Sequence, residues 1–502
     1  MKQRPGVHGV GRSNSWQLRG DSLLCSNGGM PEKAKPAGTD QTALLRQLPS
    51  VDELLLRPRV AVLGEKFERG FLVDTVRRTL ALLREGIVSG KPLDEKHVAV
   101  EEIEMLVVRS VELQLAPSLR GVINASGVIL HTNLGRAPLS AAILDELGQT
   151  ATQYSNLEYN VAAGARGKRD VHTSRLIERL TGAEAAIVVN NCAAAVLVTL
   201  AALARGGEVI VSRGELIEIG DGFRIPEIME QSGAVLREVG TTNRTRIADY
   251  ENAINEKTCV ILRVHPSNFT VSGFTEKPEV AELIALGQRN RLPVVEDLGS
   301  GCLVDLSAAG ISEPTARESV EAGFSLVLFS GDKMLGGPQA GIIAGKKDLV
   351  QKVRRHPLFR ALRVDKLTIA AMEATLRAYL RGAWKEIPAL RMMQMSIEEI
   401  SARTDAFHKM LAARVADADA EVEIADGRSL VGGGSTPAQS LPTKLIRIAS
   451  ARHSASELEA RLRTGATPVV ARIEEERLLI DLRTVFPEQE PALEEALSQV
   501  LR

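Results

Sequence analysis

Between residues 120 and 380, short apolar segments alternate with longer stretches of helical periodicity, and this alternation limits the fold more than any other feature. The segments are Ala186–Val189, Val209–Val211, Val260–Val264, Pro293–Glu296 and Leu326–Phe329. Continuous apolar strands of this kind belong in a parallel sheet that is covered on both faces. The alternation therefore predicts a doubly wound α/β domain, in which ligands bind at the strand ends.

The sequence around this region predicts four parts. Residues 1–44 are rich in Gly, Ser, Arg and Lys without apolar periodicity, which indicates a disordered tail. Residues 45–118 form a helical N-terminal domain, because apolar side chains recur at helical spacing after a capping box at Ser50–Glu53. The large α/β domain spans 119–384. A small α+β domain is predicted over 385–502, with a strand at Thr443–Ile448 and a hairpin of Val469–Ile473 with Leu478–Leu482.

The composition argues against several classes of protein. The formal charge is −1, from 62 Lys and Arg against 63 Asp and Glu, so no overall basic surface for nucleic acid exists. Aromatic residues make up 3%, too few for folds that stack RNA bases on aromatic side chains. Four cysteines without a CxxC pair, and histidines without metal-ligand spacing, indicate a reduced cytoplasmic protein with no catalytic metal. No segment resembles a membrane span or a signal peptide.

The densest pattern of small and charged residues is Ser330–Pro338, which directly follows the apolar strand Leu326–Phe329. It places Lys333 in a loop at a strand end, and Gly336 and Gly337 allow the backbone to approach a ligand closely. A lysine here is either solvated or the Schiff-base amine of an enzyme. Taken alone, the solvated side chain is the commoner case.

Two other strand ends carry residues that complement this lysine. Asp297 follows the fourth apolar strand, where a carboxylate either pairs with a pyridinium nitrogen or caps a turn. The first strand leads into small residues that open a helix, and the free amides at Asn191, Cys192 and Ala193 suit a phosphate. Each feature is weak alone. Together they predict a pyridoxal-phosphate enzyme of the transaminase-like fold-type I class.

Further motifs are spread over about residues 45–500. They are Arg120–Pro138, Tyr154–Tyr159, Gly164–Arg169, Arg263–Asn268, Ser330–Pro338, Val431–Ser435, Val469–Ile473 and Asp481–Thr484. In order and spacing they resemble the bacterial selenocysteine synthase family, the L-seryl-tRNA(Sec) selenium transferases.

The resemblance implies that Lys333 forms the aldimine with pyridoxal phosphate and that Asp297 is the partner of the pyridinium nitrogen. The other residues expected at the cofactor are Asn191, Cys192, Ala193, His265 and Ser330. Cys192 departs from the family, in which we expect a third Asn or another small polar residue. Little loss should follow, because backbone amides hold the phosphate.

The reaction implied by the resemblance converts L-seryl-tRNA(Sec) to L-selenocysteinyl-tRNA(Sec) through a pyridoxal-phosphate aldimine and an aminoacrylyl-tRNA, with selenophosphate as donor. Since the seryl carboxyl is esterified, no arginine is needed to hold a carboxylate. Arg136, Arg360 and Arg363 match the anion-binding arginines of the family and are expected to bind selenophosphate. The resemblance also implies a tRNA-binding N-terminal domain and a homo-oligomer, a decamer built as a pentamer of dimers, with no membrane partner.

Two alternatives stay open on the sequence. A related pyridoxal-phosphate lyase for a small amino or sugar acid would share Lys333 and Asp297 but would lack a tRNA-binding N-terminal domain. A non-catalytic tRNA-binding scaffold would have no use for those residues or for the phosphate turn. The helical residues 45–116 and the anion-binding arginines favour the synthase over the lyase.

Overall fold

The computed structural model describes residues 41–502 except 217, 219–223, 267–270 and 434–438. The chain divides into two compact units, Met1–Arg120 and Gly121–Arg502. Of the expected tail, residues 1–40 lie outside the described residues, whereas 41–44 belong to the first helix. Two of the sequence motifs also extend outside the described residues, at 267–268 and 434–435. Among the helices that are described, none has the length and apolar character to cross a membrane.

The first unit is helical over its described part. Its helices are α1 (Gln41–Gln47), α2 (Val51–Leu56), α3 (Pro58–Gly64), α4 (Arg69–Val88) and α5 (Val100–Leu115). The capping pattern marks the start of α2, because the Ser50 hydroxyl accepts a hydrogen bond from the Glu53 amide at 3.1 Å. The long helices α4 and α5 bury side chains that recur at helical spacing, among them Val76, Leu80 and Val107.

The second unit is built around a seven-stranded sheet. Its described strands are β1 (Ile123–Asn124), β2 (Tyr159–Asn160), β3 (Ala165–Arg166), β4 (Ala185–Val189), β5 (Glu208–Ser212), β6 (Val235–Val239), β7 (Thr258–Val264), β8 (Val294–Gly299), β9 (Leu326–Ser330), β10 (Gly341–Gly345), β11 (Ala420–Leu430), β12 (Ser440–Ser450), β13 (Val469–Val470), β14 (Arg472–Glu474) and β15 (Arg477–Asp481). The central sheet has the order β4-β10-β9-β8-β7-β5-β6. The pairs from β9 to β6 are parallel, whereas β10 is antiparallel to both β4 and β9.

Five strands of this sheet contain the apolar segments predicted as strands, but the sequence analysis missed β6 and β10. β6 is an edge strand in which Val235, Arg237 and Glu238 are exposed, so it has no continuous apolar run. β10 begins at Gly341 and ends at Gly345, and glycine in a sequence favours turns over strands. Both strands depend on their neighbours in the sheet more than on their own composition.

Helices cover both faces of the sheet. The helices of this unit are α6 (Leu144–Thr152), α7 (Val171–Thr181), α8 (Cys192–Ala204), α9 (Ile225–Gln231), α10 (Ile247–Ala253), α11 (Val280–Asn290), α12 (Ala316–Ala322), α13 (Lys347–Arg355), α14 (Pro357–Ala361), α15 (Lys366–Leu380), α16 (Pro388–Gln394), α17 (Ile397–Arg414), α18 (Ala455–Thr464) and α19 (Glu490–Leu501). In β9, Val327 and Phe329 enter one core with α7, α11 and α15, whereas Leu326 and Leu328 enter another with α8 and α13. The predicted doubly wound α/β fold is confirmed.

The C-terminal part adds an antiparallel sheet of order β11-β12-β15-β14, against which α17, α18 and α19 pack. The predicted strand at 443–448 lies within β12, and the predicted hairpin is formed by β14 and β15, with Glu475 and Glu476 at its tip. β13 does not join this hairpin, because it pairs in parallel with β1. The sequence analysis missed β11. A domain boundary at residue 385 stays a prediction.

A buried arginine holds the C-terminal sheet to the neighbouring segments. Arg483 is 1% exposed, and its Nε donates to the Ser429 hydroxyl at 3.0 Å. That hydroxyl donates in turn to Asp481 at 2.6 Å, a carboxylate with no exposed surface. The remaining donors of the guanidinium meet the backbone carbonyls of Met392, Met395 and Pro442. The charge is buried, and each of the three guanidinium nitrogens has a hydrogen-bond acceptor, as stable burial requires.

We expect Arg483→Ala to lower the free energy of unfolding by about 3–5 kcal/mol, because it leaves Asp481 as a buried charge without its cation. Thermal and urea unfolding would measure the loss. The control is Arg463→Ala, which removes an exposed pair with Glu459 (3.0 Å) and should cost less than about 0.5 kcal/mol. Equal losses in the two variants would contradict this role for Arg483.

Candidate active site

Lys333 lies in the loop that connects β9 to β10, at the carboxyl end of β9. Backbone hydrogen bonds fix this loop: the Gly331 amide donates to the Ala340 carbonyl (2.8 Å), and the Gly336 amide donates to the Lys333 carbonyl (2.9 Å). Gly336 has a φ of 75°, a left-handed conformation that favours glycine. Lys333 itself is only 5% exposed, so the solvated alternative for this lysine is wrong.

The charge environment of Lys333 favours a reactive amine. Burial lowers the pKa of the Lys333 amine, and the neighbouring Asp297 and Asp332 act in the opposite direction. A lysine held in this way is easier to deprotonate than one in water and can act as a nucleophile or as a base.

Asp297 lies within β8, beside the end of β7, and is 8% exposed. The His265 amide donates to the Asp297 carbonyl at 2.8 Å, which ties the two strand ends together. Burial raises the pKa of the Asp297 carboxyl, whereas the Cys192 hydrogen bond and the nearby Lys333 lower it. Any cation that pairs with this carboxylate would stabilise its charged form.

Cys192 joins three of the predicted residues into one cluster. Its thiol lies 3.3 Å from Asp297 Oδ1 and also forms a hydrogen bond with the side chain of Ser330. Burial, and then the charge of Asp297, raise the pKa of this thiol, so it stays protonated at neutral pH. A protonated thiol can donate a hydrogen bond to the carboxylate.

The predicted phosphate turn is the start of α8. Asn191 caps the helix, because its side-chain oxygen accepts the Ala194 amide at 2.8 Å. The amides of Cys192 and Ala193, at the first two positions of the helix, have no acceptor within it. Gly341 allows the turn to lie against β10, since a Cβ there would be 2.0 Å from the Asn191 carbonyl oxygen. This helix start suits a phosphate group.

His265 has a partner that the sequence analysis missed. Its Nε2 lies 3.2 Å from Oε1 of Glu313, and the Glu313 side chain is only 4% exposed. Glu313 lies in an irregular segment before α12, where no strand, helix or motif pattern marks it. Only the folded chain brings this carboxylate to the histidine.

Arg136 is not in the same cavity as the two other predicted arginines. Its Nη1 lies 3.0 Å from Oδ2 of Asp332, and the Asp332 carbonyl accepts the Ala137 amide at 3.1 Å. The charge of Arg136 acts on Lys333, which places this arginine on the lysine side of the site. The sequence analysis missed Asp332 as a site residue, although it lies inside the Ser330–Pro338 motif beside the lysine.

Arg360 and Arg363 do lie together, in a cavity of about 430 Å³. The cationic side chains that line it are Arg166, Lys168, Arg169, Arg354, Arg355, Arg360 and Arg363, against only two acidic ones, Glu158 and Asp170. The Asn190 amide donates to the Leu362 carbonyl at 3.1 Å, so the segment that carries these arginines contacts the turn before α8. The excess of guanidinium groups suits a multiply charged oxyanion.

A buried lysine, a buried carboxylate and a helix start with free amides are the three groups that pyridoxal phosphate needs from a protein, for its aldehyde, its ring nitrogen and its phosphate. The residues present therefore fit this cofactor. For a metal ion the described residues offer less: no group of three or more His, Cys, Asp and Glu side chains among them could hold one.

Comparison with known proteins gives a consistent result. Residues 122–486 match the family L-seryl-tRNA selenium transferase, and residues 45–84 match the family selenocysteine synthase N terminal. An L-seryl-tRNA(Sec) selenium transferase of Carboxydothermus hydrogenoformans is 48% identical over 89% of this chain and 95% of its own length. One from Geobacter sulfurreducens is 48% identical over 91% of this chain and 99% of its own length.

Among solved structures, a D-glucosaminate-6-phosphate ammonia-lyase has a TM-score of 0.55 with 21% identity, and the match covers 78% of this chain and 98% of that one. At this identity the likeness shows a common fold and nothing about the substrate. The fold-type I class expected from the sequence is confirmed. From the family match and the curated relatives, the chain belongs to the L-seryl-tRNA selenium transferase family.

Proposed function

We propose that this chain converts L-seryl-tRNA(Sec) to L-selenocysteinyl-tRNA(Sec), with pyridoxal phosphate as cofactor and selenophosphate as selenium donor. The observation that carries the proposal is the buried amine of Lys333, clustered with Asp297 and the start of α8. This cluster occurs in a chain whose relatives are named L-seryl-tRNA(Sec) selenium transferases over nearly their full length.

We assign the cofactor to this cluster. Pyridoxal phosphate, when bound, withdraws electrons from the α-carbon of an attached amino acid and so makes its proton acidic. Lys333 would carry the cofactor, Asp297 would face its ring nitrogen, and the amides of Cys192 and Ala193 would receive its phosphate. The other residues assigned to the cofactor are Asn191, Ser330 and His265, because each contacts this cluster through the bonds described above.

Lys333 would have a second role when its amine is not joined to the cofactor. Its amine, with a pKa lowered by burial, is suited to remove the proton from the seryl Cα and later to return one. The ester bond to tRNA leaves the seryl carboxyl uncharged, so no arginine is required to hold it. Arg136 is therefore not needed for the substrate carboxyl. It can keep its ion pair with Asp332 and contact the anionic selenium donor.

We expect Lys333→Ala to abolish both the conversion of seryl-tRNA(Sec) and the absorbance near ~420 nm that pyridoxal phosphate joined to a lysine gives. Lys346→Ala, which removes an exposed lysine just after β10, should keep both. Absorption spectra and product analysis would measure the two effects. If Lys333→Ala kept the absorbance, the lysine assignment would be wrong. A yellow wild type that ignores seryl-tRNA but eliminates from free amino acids would support the lyase alternative.

For the selenium donor we propose the cavity of Arg360 and Arg363. Selenophosphate carries two negative charges, and planar guanidinium groups bind such oxyanions through paired hydrogen bonds. Arg360 is exposed to the cavity and forms no ion pair with any residue the structure describes, so it is available for a ligand. Arg136, on the lysine side, is the third arginine of the proposal and would meet the donor where selenium is delivered.

We expect Arg360→Ala to raise the KM for selenophosphate by about ten- to a hundred-fold, because one charge-assisted contact is lost. The KM for seryl-tRNA(Sec) and the absorbance near ~420 nm should not change. Lys352→Ala, an exposed cation on α13 outside the cavity, is the control. Steady-state kinetics with each substrate varied in turn would measure these values. An unchanged KM for selenophosphate would rule out this donor site.

The remaining parts of the proposal concern partners. We assign tRNA binding to the helical residues 45–118, supported by the selenocysteine synthase N-terminal match at 45–84. The cytoplasm is the proposed location, because aminoacyl-tRNA is made and used there. A homo-oligomer is supported by exposed aromatic and apolar side chains, Tyr154, Tyr159 and Val161, close in sequence to Glu158 of the arginine cavity.

For the assembly we propose a decamer, a pentamer of dimers. Ten chains of 54.1 kDa give a mass of about 541 kDa, which light scattering after size exclusion would detect. A double variant, Tyr154→Ser with Val161→Ser, should shift the mass towards smaller species if this surface is an interface. A wild-type mass of one or two chains would contradict the decamer.

A further inference from the structure

The arginine cavity contains its own anion. Oε1 of Glu158 accepts hydrogen bonds from Arg363 Nη1 at 3.0 Å and from Arg169 Nη2 at 3.0 Å. The other carboxylate oxygen, Oε2, lies 3.4 Å from Arg166 Nη2. The Glu158 side chain is 30% exposed and lines the cavity beside the arginines that it contacts.

The same cavity holds donors that Glu158 does not use. Arg360, Arg355 and Lys168 form no ion pair with a described residue, and Arg363 Nε is buried without a hydrogen-bond partner among them. An oxyanion that enters the cavity would therefore meet Arg360 unhindered. At Arg363 Nη1 it would meet a hydrogen that Glu158 already accepts.

We propose that Glu158 limits the affinity of the donor site, because it competes with the donor anion for Arg363 and Arg169 and so reduces how tightly the cavity holds tetrahedral oxyanions. The inference rests on the proposed donor site. It adds that the affinity of this site is set by a carboxylate of the protein as well as by its arginines.

Two physical arguments favour competition over a merely structural pair. Hydrogen bonds from Arg169 hold the pKa of the Glu158 carboxyl below its ordinary value, so the competitor is charged at neutral pH. The side chains of Glu158, Arg169 and Arg363 are 20–30% exposed, so water reaches these pairs and weakens them. By contrast, Arg354 contacts both carboxylate oxygens of Asp170, at 2.6 and 2.9 Å, in the two-oxygen arrangement expected of a fixed structural pair. Arg169 gives both of its bonds to a single oxygen of Glu158, at 3.3 Å from Nε and 3.0 Å from Nη2.

The test uses sulfate, a tetrahedral dianion, titrated into the holoenzyme by calorimetry. We expect Glu158→Gln to lower the Kd for sulfate by about three- to ten-fold, as the loss of the weak competing ion pairs with Arg363 and Arg169 predicts. Inhibition of the conversion by sulfate should strengthen by the same factor. The matched control is Glu178→Gln, the same change of charge on α7 in an adjoining cleft, which should alter the Kd by less than two-fold.

A weaker sulfate affinity in Glu158→Gln would overturn the proposal, because it would mean that Glu158 holds the arginines in position for the anion. An effect equal to that of Glu178→Gln would also overturn it, since charge alone would then explain the change. If Glu158→Gln does not fold, Glu158→Asp replaces it. The shorter aspartate side chain would contact Arg363 and Arg169 less well than glutamate does. The proposal therefore requires that Glu158→Asp also lower the Kd for sulfate, by less than the three- to ten-fold expected of Glu158→Gln.

Arg360→Ala separates this inference from the proposed function. Sulfate binding that Arg360→Ala does not weaken would show that the anion binds elsewhere, and the proposed donor site would fail. Binding that is lost in Arg360→Ala but unchanged in Glu158→Gln would leave the donor site in place and would refute the competition by Glu158.

Discussion

The candidate active site depends on keeping the amine of Lys333 out of water at the end of a strand of the central sheet. An unpaired ammonium group in this position would be costly, and the chain reduces that cost in two ways. Burial lowers the pKa of the amine, and the carboxylates of Asp297 and Asp332 stabilise whatever charge remains. The same carboxylates have further partners, Cys192 for Asp297 and Arg136 for Asp332. Four separate segments of the chain thus meet around Lys333, and they contain Arg136, Cys192, Asp297 and Asp332.

Much of this arrangement could be predicted from the sequence, because it follows from local pattern. Buried strands of the central sheet are continuous apolar runs, so their ends, and with them Lys333, Asp297 and the turn at Asn191, can be located directly. What could not be predicted depends on pairing across long separations. Arg136 and Asp332 are 196 positions apart, and Glu313 lies in a segment without regular structure. The strand β10 could not be predicted either, because the glycines at its two ends are typical of turns.

The two proposed anion sites use different chemistry, which matters for the functions proposed for them. At the start of α8 the donors are backbone amides, which helix geometry holds in fixed positions and which suit a group that stays bound. In the arginine cavity the donors are long side chains, partly engaged by Glu158, which can rearrange as a ligand arrives and leaves. A cofactor that stays bound would therefore be held by fixed backbone amides, and a substrate that is consumed would be held by side chains that can rearrange.

β10 has one more consequence. Its first residue, Gly341, pairs with Val189 at the end of β4 and with Ser330 at the end of β9. The turn into α8 and the loop of Lys333 therefore leave the sheet on opposite sides of β10. Neighbouring strands lie about 4.8 Å apart, which separates the two exits by roughly 9–10 Å. That spacing belongs to the hydrogen-bonded sheet and not to any loop. The sheet therefore fixes how far apart the two backbone segments start, and the long Lys333 side chain covers the distance that remains between its own backbone and a ligand held at the helix start.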